Sequence, residues 1–597
     1  MVPYNAPIAD MRFVLNDLGL LPQVQALPGG EEATPDLVDA VLEEAGKLAR
    51  DVLAPINMSG DQERSRLENG VVRTPTGYKE AYRAYVEGGW NAVPFQPEHG
   101  GQGLPWTVAS AVQEMWQSAN MAWALCPLLN QGAVEALQAH GSPEQQALYL
   151  PRMISGEWSG TMNLTEPQAG SDLSQVKTRA ERKDGHYLIR GQKIYITYGE
   201  HDMAENIVHL VLARCEDAPA GVKGISLFIV PKLLPDESGA PGARNDLRCV
   251  SLEHKLGIHG SPTCVMAYGD DAGAVGYLVG EENRGLEYMF TMMNNARLNV
   301  GLQGLAISER AYQQARAFAK DRRQGRGPDG DGPAPIVRHA DVRRMLMTMR
   351  SYTEAMRALV LDAMVMLDMA HRHGEDGYRS YAKRRVDLLT PVIKGWFTDL
   401  GVELTSMAVQ VHGGMGFVEE TGVAQHFRDS RILPIYEGTN GIQANDLIGR
   451  KLLRDGGEAV SEYVEELHAL INRLNDRGGE DMAIIRRQFA QAVDALDAAT
   501  GHLLEVGAED PDAAAAAAAY YLKLFGLVAG GAMMVRAAIA AEDKLNGGDD
   551  GSDHAFYHAK MATARFYAES LLPQTAGLAT PIRAGAAMLR SIPDEAL

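Results

Sequence analysis

The spacing of apolar residues changes twice along this chain, and that change limits the folds it can adopt. After Thr34 and Pro35, a pair typical of a helix start, apolar residues recur at helical spacing to about Ser155, with a break at the Pro- and Gly-rich loop of residues 94–101. Between about residues 160 and 280, short alternating runs typical of strands replace that pattern. Helical spacing returns near Gly285 and dominates to the end. Helices, then a sheet, then helices again predict a segregated α+β fold instead of alternating βαβ units.

Within the strand-like block, turn signals separate several short strands. Asp184-Gly185 is a two-residue hairpin signal between alternating runs. The segment from Pro231 to Arg244 is rich in Pro, Gly and Asp, and we expect a surface loop there. The strands expected from alternation are residues 176–180, 186–189, 193–197, 207–212 and 225–230.

A chain of 597 residues can bury several cores, and the pattern divides it into five segments. We expect an N-terminal extension, an N-terminal helical domain, a β-domain, a four-helix-bundle domain and an extra C-terminal helical domain, at residues 1–34, 35–159, 160–280, 281–455 and 456–597.

The extra C-terminal segment contains the most membrane-like stretch of the chain. It runs from Ala513 to Ala541, but it holds Lys523 and Arg536 and is only moderately apolar. Its Gly526 and Gly530 allow two helices to approach closely. We therefore expect a buried helix and no integral membrane span. Helices are expected at residues 464–471, 490–504 and 513–544.

The formal net charge of −21 makes nucleic acid and anionic membrane surfaces poor partners. The residues from Lys451 to Leu597 carry 13 basic and 22 acidic side chains, so the C-terminal region offers no basic exception. We expect no nucleic-acid partner.

The four cysteines, Cys126, Cys215, Cys249 and Cys264, lie far apart without a CxxC pair. This spacing argues against a zinc ribbon, an iron–sulfur site or a disulfide framework, and we expect reduced thiols and no metal site. The first twenty residues lack the basic stretch and apolar block of a secretory signal, so we expect a cytoplasmic protein.

The common nucleotide and hydrolase motifs are missing from the sequence. No GxGxxG opens a helix after a strand, and no GxxxxGK[ST], GxSxG or HExxH occurs. A Rossmann site, a P-loop, a serine hydrolase and a zincin are therefore not indicated.

Three other blocks could carry chemistry. A polar loop from Met162 to Asp172 can expose backbone N–H groups to a polar ring or a phosphate, although a structural junction loop also explains it. The block from Gln410 to Gly416 ends a helix with glycines that leave the backbone bare for a ligand, or forms an ordinary C-cap. Glu437 follows two apolar residues that could raise its pKa toward ~6–7, where a carboxylate is a usable base; a surface glutamate is the alternative.

Together and in this order, these blocks resemble the acyl-CoA dehydrogenase family over about residues 35 to 455. The family's LTEPxAGSD, KxWIT, QxxGGxG and IYEGT motifs correspond to Leu164–Asp172, Lys193–Thr197, Gln410–Gly416 and Ile435–Thr439. Its RxQFG motif survives only in part, as Arg322-Arg323-Gln324.

The resemblance implies FAD-dependent α,β-dehydrogenation of an acyl-CoA thioester to a trans-2-enoyl-CoA. Glu437 corresponds to the base that removes the Cα proton while a hydride passes from Cβ to flavin N5. Some branches place the base where this chain has Ala296, which cannot accept a proton. The resemblance also implies that the enolate oxygen is stabilised by the backbone N–H of the base and a ribityl hydroxyl.

The resemblance further assigns binding residues. Ser171, Asn294, Arg297 and Gly438 correspond to substrate-contacting positions. The positions corresponding to FAD contacts are Met162, Leu164, Thr165, Gly170, Ser171, Tyr195, Thr197, Arg322, Gln324, Gln410, Gly413, Gly414, Thr439 and Asn440.

Several residues depart from the family pattern. Tyr195 replaces a Trp and keeps a smaller aromatic face for the flavin. Gly325 and Arg326 replace the end of RxQFG, which weakens the expected contact of Arg322 with the FAD pyrophosphate across a subunit interface. Tyr198 and Asn294 replace an Asn and an acidic residue, which puts substrate-end contacts in doubt.

The extra C-terminal helices resemble those of the long subgroup, which includes very-long-chain enzymes and 3-(methylthio)propanoyl-CoA dehydrogenases. The N-terminal run from Ala6 to Phe13 and the length favour the latter, with a medium- or long-chain acyl-CoA as the other substrate. The resemblance implies fatty acid metabolism, electron-transferring flavoprotein as acceptor, and a homodimer or dimer of dimers. An acyl-CoA oxidase using dioxygen and a dehydrogenase-like nucleic-acid-binding protein are the alternatives.

Overall fold

Helices form both ends of the chain and a mixed sheet forms its middle, as the change of spacing predicts. The structure is a computed structural model that describes residues 3–327, 330, 332–547, 553–587 and 589–597. The chain forms two units: one comprises Met1–Glu43, Trp106–Glu114 and Val300–Leu597, and the other comprises Glu44–Pro105 and Met115–Asn299. We call them the helical unit and the sheet-containing unit.

The first part of the chain is helical but also contains a short hairpin. Thr34 Oγ1 accepts the N–H of Leu37 at 3.3 Å and caps the predicted helix. The elements are α1 Ile8–Arg12, α2 Leu20–Gln25, α3 Pro35–Leu48, α4 Pro55–Glu63, β1 Arg66–Glu68, β2 Val71–Arg73, α5 Tyr78–Glu87, α6 Trp106–Ala119, α7 Met121–His140 and α8 Pro143–Ser155.

The hairpin β1–β2 corrects the expectation that the helical start is broken only by the loop at residues 94–101. Its turn is Asn69-Gly70, and both residues have positive φ, at 51° and 79°. An Asn-Gly pair between apolar residues is the usual signal of such a turn. The signal was therefore present in the sequence.

The strands in the middle of the chain are β3 Trp158–Asn163, β4 Arg179–Lys183, β5 His186–Thr197, β6 Asn206–Cys215, β7 Ser226–Pro231, β8 Leu233–Pro235, β9 Pro241–Arg244, β10 Leu247–Leu252, β11 Thr263–Tyr268 and β12 Ala274–Leu278. The central sheet has the order β10-β11-β5-β12-β7-β6-β3, and β4 pairs with both β5 and β6. The hairpin β4–β5 turns at Asp184-Gly185 as predicted, with Lys183 opposite His186.

Two details of the sheet differ from expectation. The segment expected to be an irregular surface loop holds the short pair β8–β9. The polar loop expected from Met162 begins two residues later, at Leu164, because Met162 and Asn163 are the last residues of the buried strand β3.

The rest of the chain is almost entirely helical. The helices predicted near the C-terminus are present within α14, α15 and α16. The elements are α9 Gly285–Asp321, β13 Arg323–Arg326, β14 Pro333–Pro335, α10 Ala340–Arg372, α11 Asp376–His412, α12 Val423–Ser430, α13 Asn440–Ile448, α14 Glu458–Asn475, α15 Glu480–Glu509, α16 Pro511–Asn546, α17 His554–Phe566 and α18 Gln574–Arg583.

Buried polar contacts fix the packing of the helical unit. Arg357 on α10 pairs with Glu114 and Glu309 at 2.6 and 2.7 Å, and all three side chains are buried. Each charge therefore has a partner, as burial requires. Asp368 on the same helix accepts the N–H groups of Trp106 and Thr107 at the start of the α6 segment.

The helix α16 packs closely on α11. Gly526 and Gly530 face the indole of Trp396, and a Cβ added at either glycine would lie 2.4 or 2.6 Å from it. Within the described residues, α16 is the one helix with the length and hydropathy of a membrane span, and 89% of its most apolar window is buried in protein.

Candidate active site

The polar loop after β3 is held by a buried ion pair. Lys193 on β5 lies 2.8 Å from Glu166, and their side chains are 0% and 3% exposed. Lys193 Nζ also donates to the Leu164 carbonyl at 3.0 Å, and the Ile194 N–H donates to the Thr165 carbonyl at 2.9 Å. These contacts fix the backbone at Leu164 and Thr165.

Glu166 is fully hydrogen-bonded in this position. It accepts the N–H groups of Lys177 and Thr178 and the Thr178 hydroxyl at 2.6–3.1 Å. Burial opposes ionisation, but the Lys193 charge and these hydrogen bonds outweigh it and lower the pKa of Glu166 to about 2. Glu166 is therefore an anion that holds the loop.

The tip of the loop is open to solvent. Gly170 and Ser171 are exposed, and a Cβ at Gly170 would meet nothing within 4 Å. Glu166 and Ala169 exchange backbone hydrogen bonds of 2.9 and 3.0 Å behind the tip. Met162, at the end of β3, is buried.

A bulge in β5 turns the side chain of Tyr195 toward solvent. The register between β5 and β11 shifts between Cys264 and Met266, and Tyr195, in the bulge, has φ of 59° and is 60% exposed. Such bulges redirect side chains and are frequent beside active sites. Thr197, two residues later, is half-buried, and its carbonyl accepts the Thr161 hydroxyl at 2.7 Å.

Tyr198, which follows Thr197, is turned inward. Its hydroxyl donates to the Ala122 carbonyl at 2.8 Å, and the side chain is buried. The family pattern has an Asn at this position. Tyr198 does not present a polar group at the surface in its place, because its hydroxyl is buried.

The candidate substrate residues on α9 lie one helical turn apart. Arg297 Nη1 donates to Asn294 Oδ1 at 3.4 Å in the sheet-containing unit. Ala296 is buried beside them, and an alanine side chain has no group that accepts a proton.

A carboxyl that sequence reasoning missed lies beside these residues. Burial raises the pKa of Glu135 on α7 to about 8, although a hydrogen bond with Asn295 on α9 opposes the rise. A helix–helix contact creates this environment, so no local sequence signal could have found it.

In the helical unit, Glu437 lies at the tip of a short loop. The Asn440 N–H donates to the Pro434 carbonyl at 3.0 Å and joins the ends of the loop. Glu437 and Gly438 have φ of 57° and 85°, a left-handed pair that is unfavourable for glutamate and easy for glycine. Such strain is frequent at active sites.

Neighbouring side chains hold this loop. The Tyr436 hydroxyl donates to Gln303 on α9, and burial raises the pKa of Tyr436 well above its usual value. Gln443 donates to the Gly438 carbonyl at 3.3 Å, and the Thr439 hydroxyl caps α13 by accepting the Ile442 N–H. The side chain of Asn440 faces α11, where its amide is hydrogen-bonded to protein groups.

The end of α11 leaves the backbone bare. Gly413 has φ of 59°, and a Cβ at Gly413 or Gly414 would meet nothing within 4 Å. Gln410 lies in the last turn of the helix. Two apolar side chains follow in the exposed segment: Met415 and Phe417 are 51% and 89% exposed.

The partial RxQFG motif follows α9: Arg322 precedes the short exposed strand β13, which holds Arg323 and Gln324. Arg322 donates to Gln324 Oε1 at 3.3 Å, and His339 Nε2 is 2.7 Å from the Gln324 carbonyl. Gly325 has φ of 69°, which a phenylalanine adopts only with strain, so glycine fits the irregular part of β13, where the register with β14 shifts. Arg322 and Arg323 are exposed cations suited to phosphate oxygens.

Both units therefore carry groups that fit FAD. The sheet-containing unit offers an exposed aromatic face at Tyr195 and a fixed polar backbone at Leu164 and Thr165. The helical unit offers bare glycines at the end of α11 and an exposed guanidinium at Arg322. Planar rings and phosphates are bound by groups of these kinds.

Comparison with known proteins identifies the class. The N-terminal, middle and C-terminal domain models of acyl-CoA dehydrogenases match residues 38–157, 161–270 and 283–453. A fourth model, described as acetyl-CoA dehydrogenase C-terminal like, matches residues 460–593. The chain belongs to the acyl-CoA dehydrogenase family, and it is an FAD-dependent oxidoreductase of that class.

Individual members of the family are similar to this chain over nearly its full length. The chain is 50% identical to 3-methylmercaptopropionyl-CoA dehydrogenase of Ruegeria pomeroyi, covering 95% of this chain and 96% of that protein. It is 34% identical to the broad-specificity linear acyl-CoA dehydrogenase FadE5 of Mycobacterium tuberculosis, covering 96% of each. The structure of Caenorhabditis elegans ACDH-11 in complex with C11-CoA has a TM-score of 0.74 at 20% identity, covering 95% of this chain and 92% of that one, and shows the shared fold.

Proposed function

We propose that this enzyme oxidises 3-(methylthio)propanoyl-CoA, a short thioether acyl-CoA, to the corresponding trans-2-enoyl thioester. The observation that carries this choice is the 50% identity to the Ruegeria pomeroyi dehydrogenase over nearly the full length of both chains. The C-terminal match from residue 460 to residue 593 supports a long member of the family.

Glu437 acts as the base in this proposal. Its carboxylate takes the Cα proton of the thioester, and bound FAD supplies the acceptor for the hydride that leaves Cβ. The backbone N–H of Glu437 donates to the thioester oxygen, which becomes negative as the proton leaves. The left-handed backbone at Glu437 and Gly438 supports this role because it presents the residue at the tip of a closed loop.

The FAD-binding residues form two groups in this proposal. Leu164, Thr165 and Tyr195 would hold the flavin ring, with Thr197 beside it, and their support is the fixed backbone and the outward-facing ring described above. Arg322, Gly413 and Gly414 would bind the phosphates, and their support is exposure and a bare backbone. Arg297 would contact the CoA moiety.

The substrate proposal is tested by anaerobic reduction of the enzyme-bound flavin. Straight-chain acyl-CoAs of graded length and 3-(methylthio)propanoyl-CoA are mixed separately with the purified enzyme, and the loss of flavin absorbance is followed. We expect the thioether substrate to give the highest ratio of rate constant to half-saturating concentration. A maximum at a long straight chain would contradict the thioether assignment and leave the dehydrogenase class intact.

We further propose electron-transferring flavoprotein as the oxidant of the reduced enzyme. Rapid reoxidation by that protein and slow reoxidation in air are expected; rapid reoxidation in air would indicate an oxidase.

We also propose a cytoplasmic location. Its support is that the four cysteines form no disulfide and are buried.

A homodimer or a dimer of dimers is the proposed assembly. Its support is the exposed pair Met415 and Phe417, which a second copy of the chain would cover. Sedimentation velocity of wild type and Phe417→Asp tests this assembly. We expect the variant to dissociate at concentrations where wild type stays associated, and a monomeric wild type would contradict the proposal.

A further inference from the structure

Asn440 closes the loop that carries Glu437, and its side chain is used entirely inside the protein. Its Oδ1 accepts from Lys394 Nζ at 2.8 Å. Its Nδ2 donates to the Gly395 carbonyl at 3.0 Å and to Asp399 Oδ1 at 2.7 Å. A carboxamide has two N–H donors, and both are directed at α11.

The Lys394 contact anchors Asn440 to the core of the helical unit. Lys394 is 0% exposed, and a buried ammonium requires oxygen partners. Thr398, one turn later on α11, also lies within hydrogen-bond distance of the Asn440 amide, at 2.9 Å from Nδ2. Residues 394–399, which we call the α11 turn, therefore supply the hydrogen-bond partners of the Asn440 side chain.

The same α11 turn is also contacted by α16 of the extra C-terminal domain. A Cβ at Gly395 would lie 2.8 Å from Leu522 Cδ1, so Leu522 packs directly on the backbone whose carbonyl Asn440 binds. Trp396, the next residue, fits against Gly526 and Gly530. The α11 turn thus contacts both Asn440 and α16, and α16 also packs directly on α13, the helix that begins at Asn440.

A left-handed glutamate persists only where its surroundings determine the backbone. The loop from Pro434 to Asn440 is closed by one backbone hydrogen bond, and the Asn440 side chain fixes the C-terminal end of that closure. Displacement of this end moves Glu437, because only two residues, Gly438 and Thr439, separate them.

We propose that Asn440 is a positioning residue for Glu437, and that α16 of the extra C-terminal domain supports it by packing on the α11 turn and on α13. The inference rests on the proposed function, in which Glu437 is the base. It gives the extra domain a part in catalysis and separates Asn440 from the residues that bind FAD by their side chains.

The first test compares Asn440→Ala with Asn445→Ala as holoenzymes. Asn445 is an exposed asparagine on the same helix α13 and serves as the matched control. In Asn440→Ala we expect the rate constant of flavin reduction to fall ~10–100-fold, as a misplacement of about 1 Å can cause, with substrate KM and FAD content nearly unchanged. Asn445→Ala should match wild type. Loss of FAD from Asn440→Ala, or an unchanged reduction rate, would overturn the proposal.

Swapping the residues at positions 440 and 399 tests their contact by rescue of the reduction rate. Asn440→Asp places a carboxylate against Asp399 and should slow flavin reduction, whereas the double variant Asn440→Asp with Asp399→Asn restores one donor and one acceptor and should recover part of the rate. Additive losses in the double variant would contradict a direct role of this contact.

Hydrogen exchange tests the positioning role of Asn440 independently of the proposed function. Amides of residues 434–440 should exchange faster in Asn440→Ala than in Asn445→Ala, whichever acyl-CoA the enzyme oxidises. If wild-type flavin is reduced by no acyl-CoA, the proposed function fails, and this exchange result alone decides whether Asn440 holds the loop. Equal exchange in the two variants would refute the holding role.

The contribution of α16 is tested with Leu522→Ala against Leu496→Ala. Leu496 is a buried leucine on α15, which packs against α16 within the extra domain. Both variants should lower the melting temperature, but only Leu522→Ala should speed exchange at residues 434–440 and slow flavin reduction. Leu522→Val provides a milder change if Leu522→Ala unfolds. Equal effects of the two sites on the loop would remove α16 from the proposal.

Discussion

At the residue scale, two carboxyl groups of the sheet-containing unit have pKa values shifted in opposite directions. Glu166 has its pKa lowered to about 2 because Lys193 and three hydrogen bonds outweigh the effect of burial. Glu135 has its pKa raised to about 8 because burial outweighs its contact with Asn295. The position of Glu166 in a family motif could be predicted from the sequence, whereas the environment of Glu135 depends on a contact between α7 and α9.

We expect Lys193→Met to destabilise the protein by about 3–5 kcal/mol, because it leaves the Glu166 carboxylate buried without its cation. The loop at Leu164 should also loosen, and the purified variant should contain less FAD. Chemical denaturation and the flavin-to-protein absorbance ratio measure both effects. Lys183→Met, which removes an exposed pair with Glu181, is the control and should leave both unchanged. Wild-type stability in Lys193→Met would contradict the assigned role of the ion pair.

Glu135→Gln should stabilise the protein, and more so at high pH. A carboxyl whose folded pKa is raised binds its proton more tightly in the folded state, so its penalty on stability grows as pH rises from about 4.3 to about 8. By linkage, removing the titration should give about 5 kcal/mol at pH 9 and about 1 kcal/mol at pH 5. Thermal unfolding at both pH values measures the difference. A gain independent of pH would contradict the raised pKa.

At the element scale, tight helix packing decides how α16 is used. Its composition resembles a membrane span, but its small residues face Trp396 on α11. The Gly526 and Gly530 spacing predicted a close approach to another helix. The identity of the partner could not be predicted, because nothing local in the sequence links Trp396 to residues more than a hundred positions later.

Gly526→Ala should destabilise the protein by about 1–3 kcal/mol, since the new Cβ would lie 2.4 Å from the Trp396 ring. The matched control is Gly501→Ala on α15, where a Cβ meets nothing within 4 Å and helix propensity alone should stabilise by up to ~1 kcal/mol. Opposite signs in urea denaturation are expected. Two stabilising substitutions would show that α16 does not pack against Trp396 as described.

At the scale of the whole molecule, the order of motifs carries more information than any single motif. Each block had an ordinary structural explanation, yet the ordered set indicated the family that the domain matches confirm. The bulge at Tyr195 and the packing of Asn440 against α11 could not be predicted, because both depend on pairing with distant residues. The five segment boundaries and the roles of the site residues stay predictions.

The most direct test of the account is anaerobic flavin reduction by substrate in Glu437→Gln. Glutamine keeps the size and backbone of the loop but cannot accept the Cα proton, so the variant should bind FAD and acyl-CoA like wild type while its reduction rate falls by at least ~10²–10⁴-fold. Rapid bleaching of the flavin in Glu437→Gln would contradict the assignment of Glu437 as the base.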